Sequence, residues 1–130
     1  NEVNTMKEDI LNASGNVCTC GLGMGYFAYM VSLKDDVSSV TIIEYDCEVI
    51  ELFNTYLLPL FKNKDKIKII KKDALDYLKS DDILKHDYVF IDLWHDVSDG
   101  LPLYKEIKEI EKEKNTKWHY WIEKTMKCYL

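Results

Sequence analysis

Cys20-Gly21-Leu22-Gly23-Met24-Gly25-Tyr26 is the stretch that decides how this chain folds. Three glycines at alternate positions follow the run Asn16-Val17-Cys18-Thr19-Cys20 and precede Phe27-Ala28-Tyr29-Met30-Val31, which predicts a strand, a tight turn and the start of a helix. Glycine belongs where the backbone takes positive φ or approaches a ligand with no Cβ in the way. The helix N-terminus beyond it offers unpaired N–H groups and the positive end of a dipole. Such a turn suits a nucleotide-like ligand. The dinucleotide fingerprint would place its third glycine at position 26, where this chain has Tyr26, so the run is G-x-G-x-G and not G-x-G-x-x-G.

Working outward, the next apolar run, Val40-Thr41-Ile42-Ile43, ends in Glu44. A carboxylate about 20 residues past the glycines, at a strand end, is well placed to accept hydrogen bonds from both hydroxyls of a ribose. Upstream, Met6, Ile10 and Leu11 predict a short helix over 4–12, ended by Gly15. Downstream, the patterns predict a first strand over 16–20, a helix over 25–34, a second strand over 40–44 and a helix from 47. The apolar stripe of that last helix, Val49, Ile50, Phe53, Leu57, Leu58, Leu60 and Phe61, meets a bend or stop at Pro59. A third strand over 67–70 alternates with lysine, as an edge strand does to discourage pairing. A helix over 73–84 turns Ala74, Leu75, Leu78 and Ile83 inward, and a buried fourth strand covers 88–92. Then come a loop over 92–102, a helix over 103–113 with Tyr104, Ile107 and Ile110 inward, a fifth strand over 116–122 and a tail over 123–130. Strands alternating with helices imply right-handed βαβ units, hence an α/β parallel sheet in the order 3-2-1-4-5 with helices on both faces.

Composition limits the function. A chain of 130 residues fits one domain, 1–130, and removes roughly two-thirds of its unfolded surface from water. The formal charge of −6 and the lack of a basic patch argue against a nucleic-acid partner and an anionic membrane surface. All 17 basic residues are lysine, so no arginine fork is present to clamp a phosphate. Cys18, Cys20, Cys47 and Cys128 fall in no zinc or disulfide spacing. Cys18 and Cys20 share a face of the first strand, as small apolar side chains do. No signal sequence and no membrane-length apolar run is present, which points to a cytoplasmic protein, and a chain starting at Asn1 suggests a trimmed piece.

The G-x-G-x-G turn, Glu44, the Asp73-Ala74 pair after the third strand and Asp92 after the fourth together resemble the S-adenosylmethionine-dependent methyltransferases with a Rossmann-like fold. The stretch Ile43-Glu44-Tyr45-Asp46-Cys47-Glu48-Val49-Ile50-Glu51-Leu52 is especially similar to the spermidine synthase branch, which binds decarboxylated S-adenosylmethionine. The resemblance covers about residues 15–122 and lacks the family's last two strands. It therefore implies a domain truncated after strand five, or an exposed strand-five edge on which a second copy could pair as a homodimer. By the same resemblance, Gly21, Gly23 and Gly25 lie against the amino-acid part of the cofactor, Glu44 holds the ribose, Asp73 with Ala74 accepts from the adenine amino group, and Tyr45 packs on the adenine face. Thr19 stands where most of the methyltransferases carry an acidic residue, a departure that leans toward the synthase branch. Leu22 and Met24 stand where that branch carries an aspartate, which leans away from it.

Asp92-Leu93-Trp94-His95-Asp96 is the remaining chemical stretch. In the synthase branch an aspartate after strand four helps deprotonate the attacking amine, and in catechol-type methyltransferases one binds a divalent cation. Asp92 fits either position, and His95 and Asp96 could add a base or a ligand. The competing reading is an exposed loop histidine followed by a helix cap at Asp96 or Asp99. His86 and His119 carry no constellation, and no Ser-His-Asp order or Walker loop supports a hydrolase or a kinase. The expectation is methyl transfer from S-adenosylmethionine to a small-molecule acceptor, with no metal assigned. Aminopropyl transfer and a non-catalytic nucleoside-binding module are the alternatives.

Overall fold

The computed structural model describes residues 2–23 and 25–130, and Met24 of the glycine turn lies outside the described residues. Its sheet is parallel throughout, in the order β3-β2-β1-β4-β5, as the alternation of elements predicts. The strands are β1 (Gly15–Cys20), β2 (Val37–Glu44), β3 (Ile67–Lys71), β4 (Tyr88–Ile91) and β5 (His119–Tyr120). The helices are α1 (Glu2–Asn12), α2 (Tyr26–Ser32), α3 (Cys47–Leu52), α4 (Ala74–Lys79), α5 (Val97–Lys114) and α6 (Glu123–Lys127).

Side chains alternate across a strand with a period of two, so each central strand serves two cores. Val17, Val40, Ile42, Tyr88 and Phe90 point to one face and pack with Met6 of α1, Phe27, Ala28 and Val31 of α2, and Phe53. Cys18, Cys20, Ile43, Val89 and Ile91 point to the other and pack with Leu78 of α4, Tyr104 and Ile107 of α5, and Met126 of α6. Cys18 and Cys20 are free thiols without solvent access, the small apolar role expected of them. β1 lies between β2 and β4, with Cys20 paired to Ile43 on one side and Ile91 on the other. The carboxyl ends of three strands are thereby level.

Several elements depart from the sequence expectation. The helix from Cys47 does not run to Pro59 as one amphipathic rod. After α3 the chain widens into a π turn over Phe53–Leu57, then tightens into a 3-10 turn over Leu58–Leu60 that carries Pro59 at its start. Proline has no N–H to continue an α ladder. In consequence only Phe53 and Phe61 of the expected stripe are buried, while Leu57 and Leu60 are exposed. The helix expected over 73–84 breaks at Ser80, whose extended backbone separates α4 from a 3-10 turn over Asp81–Lys85. In α1, Met6 is buried but Leu11 is not.

The largest correction is α5. The expected loop over 92–102 gives way to helix at Val97, because Asp96 and Asp99 form a reciprocal capping box, and Pro102 lies inside the helix. Pro102 removes one backbone hydrogen bond in the second turn. Gly100 offsets that by close packing, since a Cβ there would come within 2.5 Å of the Trp94 ring. β5 keeps only two residues of the expected strand over 116–122, and the expected tail holds α6, whose Met126 is fully buried. His86 and His119 are also better placed than expected. His86 Nε2 lies 2.7 Å from the Tyr77 hydroxyl, and His119 stacks on Tyr88 at 4.0 Å.

Candidate functional site

The glycine turn leaves β1 across the end of β4. Gly21 has φ of 93°, and a Cβ there would sit 2.0 Å from the Asp92 carbonyl oxygen, so only glycine permits this crossing. Gly21 N–H donates to the Ile43 carbonyl, and Asp92 N–H to the Cys20 carbonyl, which holds the turn between β2 and β4. Gly25, with φ of 80°, is the N-cap of α2 and packs on the Phe53 ring. Thr19 is buried, with its hydroxyl 3.4 Å from the Gly21 carbonyl, so the position that is acidic in most of the resembled family is here an internal brace of the turn.

Glu44 ends β2 and ties the turn to the next helix. Its Oε1 accepts from Leu22 N–H at 2.9 Å and its Oε2 from Asp46 N–H at 3.2 Å. A carboxylate has about four acceptor positions, so each oxygen keeps capacity for a ligand donor. Asp46 then caps α3 by accepting from Glu48 N–H. Asp73 caps α4, its Oδ1 accepting from Asp76 N–H at 3.1 Å. Asp96 caps α5, so the competing reading of the 92–96 stretch holds for that residue. Hydrogen bonds from Ser98 and from the Asp99 backbone hold its carboxyl below the usual range. His95 donates its backbone N–H to the Asp99 carboxylate and exposes its side chain.

Two adjoining hollows lie over these strand ends. The smaller, about 280 Å³, is walled by Ile43, Leu75, Leu93 and Leu103 and rimmed by Tyr45, Lys72, Asp73 and Ala74. The larger, a cleft of about 690 Å³, runs from Gly21, Leu22 and Gly23 past Asp92 to Trp94, His95 and Trp121. Gly21, Glu44 and Leu93 line both, so the two are one continuous site divided at Glu44. Of the residues expected from the sequence, Gly21, Gly23, Glu44, Tyr45, Asp73, Ala74, Asp92 and His95 meet here. Gly25 lines neither hollow and acts through the turn.

Sequence reasoning missed Asp46, Val49, Lys72, Trp94 and Trp121. Trp94 stands within the chemical stretch already singled out, and its indole N–H donates to the Trp121 carbonyl at 3.1 Å. Trp121 N–H donates in turn to Ile91, so β5 carries Trp121 to the end of β4. No sequence signal marks it. Among the described residues, no group of three or more His, Cys, Asp and Glu side chains is placed to hold a metal ion. Among these residues, too, no helix is long and apolar enough to cross a membrane.

No protein-family model matches the chain, and no curated protein matches it in sequence. Solved structures do match. One is described as a "putative O-methyltransferase from Klebsiella pneumoniae", 19% identical with a TM-score of 0.54, over 80% of this chain and 46% of that one. Another is described as a "putative methylase" from Haemophilus influenzae, 20% identical with a TM-score of 0.57, over 90% of this chain and 71% of that one. The chain thus spans under half the length of the Klebsiella protein. At these identities the likeness establishes the fold, with the sheet order described above. Neither structure is described as a spermidine synthase, so the comparisons lend that branch no support.

Proposed function

We propose that this chain binds S-adenosylmethionine across the two hollows and takes part in methyl transfer to a small acceptor. The observation that carries the reading is the continuity of the hollows at Gly21, Glu44 and Leu93. The smaller compartment has apolar walls and carries Lys72 and Asp73 at its rim. The larger holds Glu44, Asp46, Asp92 and His95 among apolar and glycine residues, and Glu44 stands at the division. That donor set fits an adenosyl group: Asp73 would accept from the ring's amino group, Leu75 and Leu93 would cover its faces, and Glu44 would accept from the ribose hydroxyls.

The bound sulfonium would supply an electrophilic methyl group. This chain's own residues position the acceptor and handle its proton. Asp92 and His95 line the same cleft, and on this reading either would take a proton from an attacking amine or hydroxyl. Positioning of the reacting atoms is the larger part of such catalysis. The fold likeness to two proteins described as methyl-transferring supports the reading, as does the wider compartment, which leaves room for an acceptor beside the cofactor tail.

Calorimetric titration with S-adenosylmethionine, S-adenosylhomocysteine, the decarboxylated form and NAD tests it. Micromolar binding of the first two, with NAD silent, is the expected result. Preference for the decarboxylated form would move the assignment to aminopropyl transfer. Silence for all four would overturn the adenosyl site.

A further inference from the structure

The cleft does not end at the glycine turn. On the far side of Leu22 and Gly23 a second depression of about 290 Å³ opens along α3 and the π turn, and it shares Leu22, Gly23 and Val49 with the cleft. Its floor is Phe53, fully buried, and its walls are Leu52, Tyr56 and Leu57, which are exposed. A π turn set into a helix re-aims side chains and recurs at functional sites. Here Leu57, which the sequence pattern assigns to the core, is exposed beside Tyr56. Among the described residues no charged side chain lines the trough.

Charge enters in the cleft, beyond the shared Leu22, Gly23 and Val49. Glu44, Asp46 and Asp92 line the cleft, and no lysine does among the described residues. Among the described residues neither lysine nor arginine lines the cleft, so no permanently charged side chain there pairs with an anion, and Lys72 rims the other hollow. We infer that the acceptor is an amine with an aryl or alkyl body, its body seated in the trough of Leu52, Phe53, Tyr56 and Leu57 and its nitrogen in the cleft beside Asp46 and Asp92. Burial of an apolar body against these walls supplies affinity, and opposite charge across the shared rim selects the head group. An acid of the same shape would add a further negative charge to three carboxylates. This inference rests on the cleft being the adenosyl site, because that reading places a reacting centre beside the shared rim.

The test titrates the whole chain, in the presence of S-adenosylhomocysteine, with phenethylamine, phenethyl alcohol and phenylpropionate. The amine is expected to bind at least ~tenfold tighter than the acid, with the alcohol between them. The Leu52→Ser/Tyr56→Ser variant removes only exposed side chains, so its fold is safe. It should weaken the amine ~fivefold or more while leaving S-adenosylhomocysteine affinity unchanged. The acid binding as well as the amine would overturn the proposal, as would unchanged amine affinity in the variant. So would the absence of probe binding together with a self-association, seen by sedimentation, that the variant abolishes; the trough would then be a contact between copies. Failure of S-adenosylhomocysteine to bind would count against the adenosyl site alone. In that case the amine and acid titrations, repeated on the chain without it, decide the trough.

Discussion

Glu44 is the residue on which the site turns, because one carboxylate braces the glycine turn, the start of the next segment and the division between the two hollows. Glu44→Ala removes the acceptor from both Leu22 N–H and Asp46 N–H and, on the proposed reading, from a bound ribose. S-adenosylhomocysteine affinity, measured by calorimetry, should fall by about 1–3 kcal/mol. Glu44→Gln keeps one acceptor oxygen and should recover part of that loss, whereas equal affinity in all three proteins would remove Glu44 from the site. Gly21, Glu44 and Asp92 are legible in the sequence because each directly follows an apolar run, and Asp73 because it stands two lysines past one; a polar or glycine residue after a strand has few places to be. Trp121 was not legible. Its place beside Trp94 depends on a hydrogen bond to Ile91, thirty positions away in sequence, and no local pattern encodes that.

Elements were predicted well where one periodicity dominated and poorly where capping or proline competed with it. β1 and β4 are apolar runs and appear within a residue of the expected bounds, whereas β2 begins at Val37, three residues before its expected start. α5 was placed too late because Pro102 reads as a stop, while the Asp96–Asp99 box and the Gly100 contact with Trp94 start the helix before it. The two element-end histidines give the chain a pH dependence. Burial holds the pKa of both His86 and His119 below the ordinary histidine value. The unfolded chain therefore binds more protons than the folded one as pH falls, and stability is lost through the histidine range. Asp9, raised by burial, works in the opposite sense, but in the lower carboxylate range. The thermal midpoint should drop between about pH 7.5 and 5.5, and the His86→Gln/His119→Gln variant should flatten that slope. A slope unchanged in the variant would assign the dependence to other groups.

On the scale of the whole molecule, the sheet's weakest seam is β5, two residues long beside β4. A buried carboxylate holds it. Glu111 of α5 accepts from Trp118 N–H at 2.8 Å and from the Tyr120 hydroxyl, and Lys108 lies 3.2 Å away. Burial, reinforced by the Glu111 hydrogen bond, pushes the Tyr120 hydroxyl far above its ordinary pKa, which keeps it a donor at any physiological pH. Lys108 also reaches Glu123, which accepts from the Tyr104 hydroxyl, so the same cluster anchors α6. Glu111→Ala leaves these donors without an acceptor and should cost about 3 kcal/mol in urea unfolding. Hydrogen exchange should then show the 118–127 segment opening ahead of β1 and β4. Loss of protection spread evenly over the sheet would mean that β5 is no separate seam. Because β5 carries Trp121, the same variant should also loosen the far wall of the cleft.

The sequence by itself determined the strand order, the turn between β1 and α2, and the strand-end residues that face one another across it. Each of these follows from local rules: period-two burial, glycine at positive φ, and right-handed crossovers. Only the tertiary structure decided that the stripe beyond Cys47 would unroll into an exposed apolar trough, that Asp96 and Asp99 would begin a helix, and that Trp121 would close the cleft. Those outcomes depend on contacts between segments distant in sequence, whose energies no local pattern records. That is why the fold could be read before the structure was known, while the shape of the cleft and trough could not.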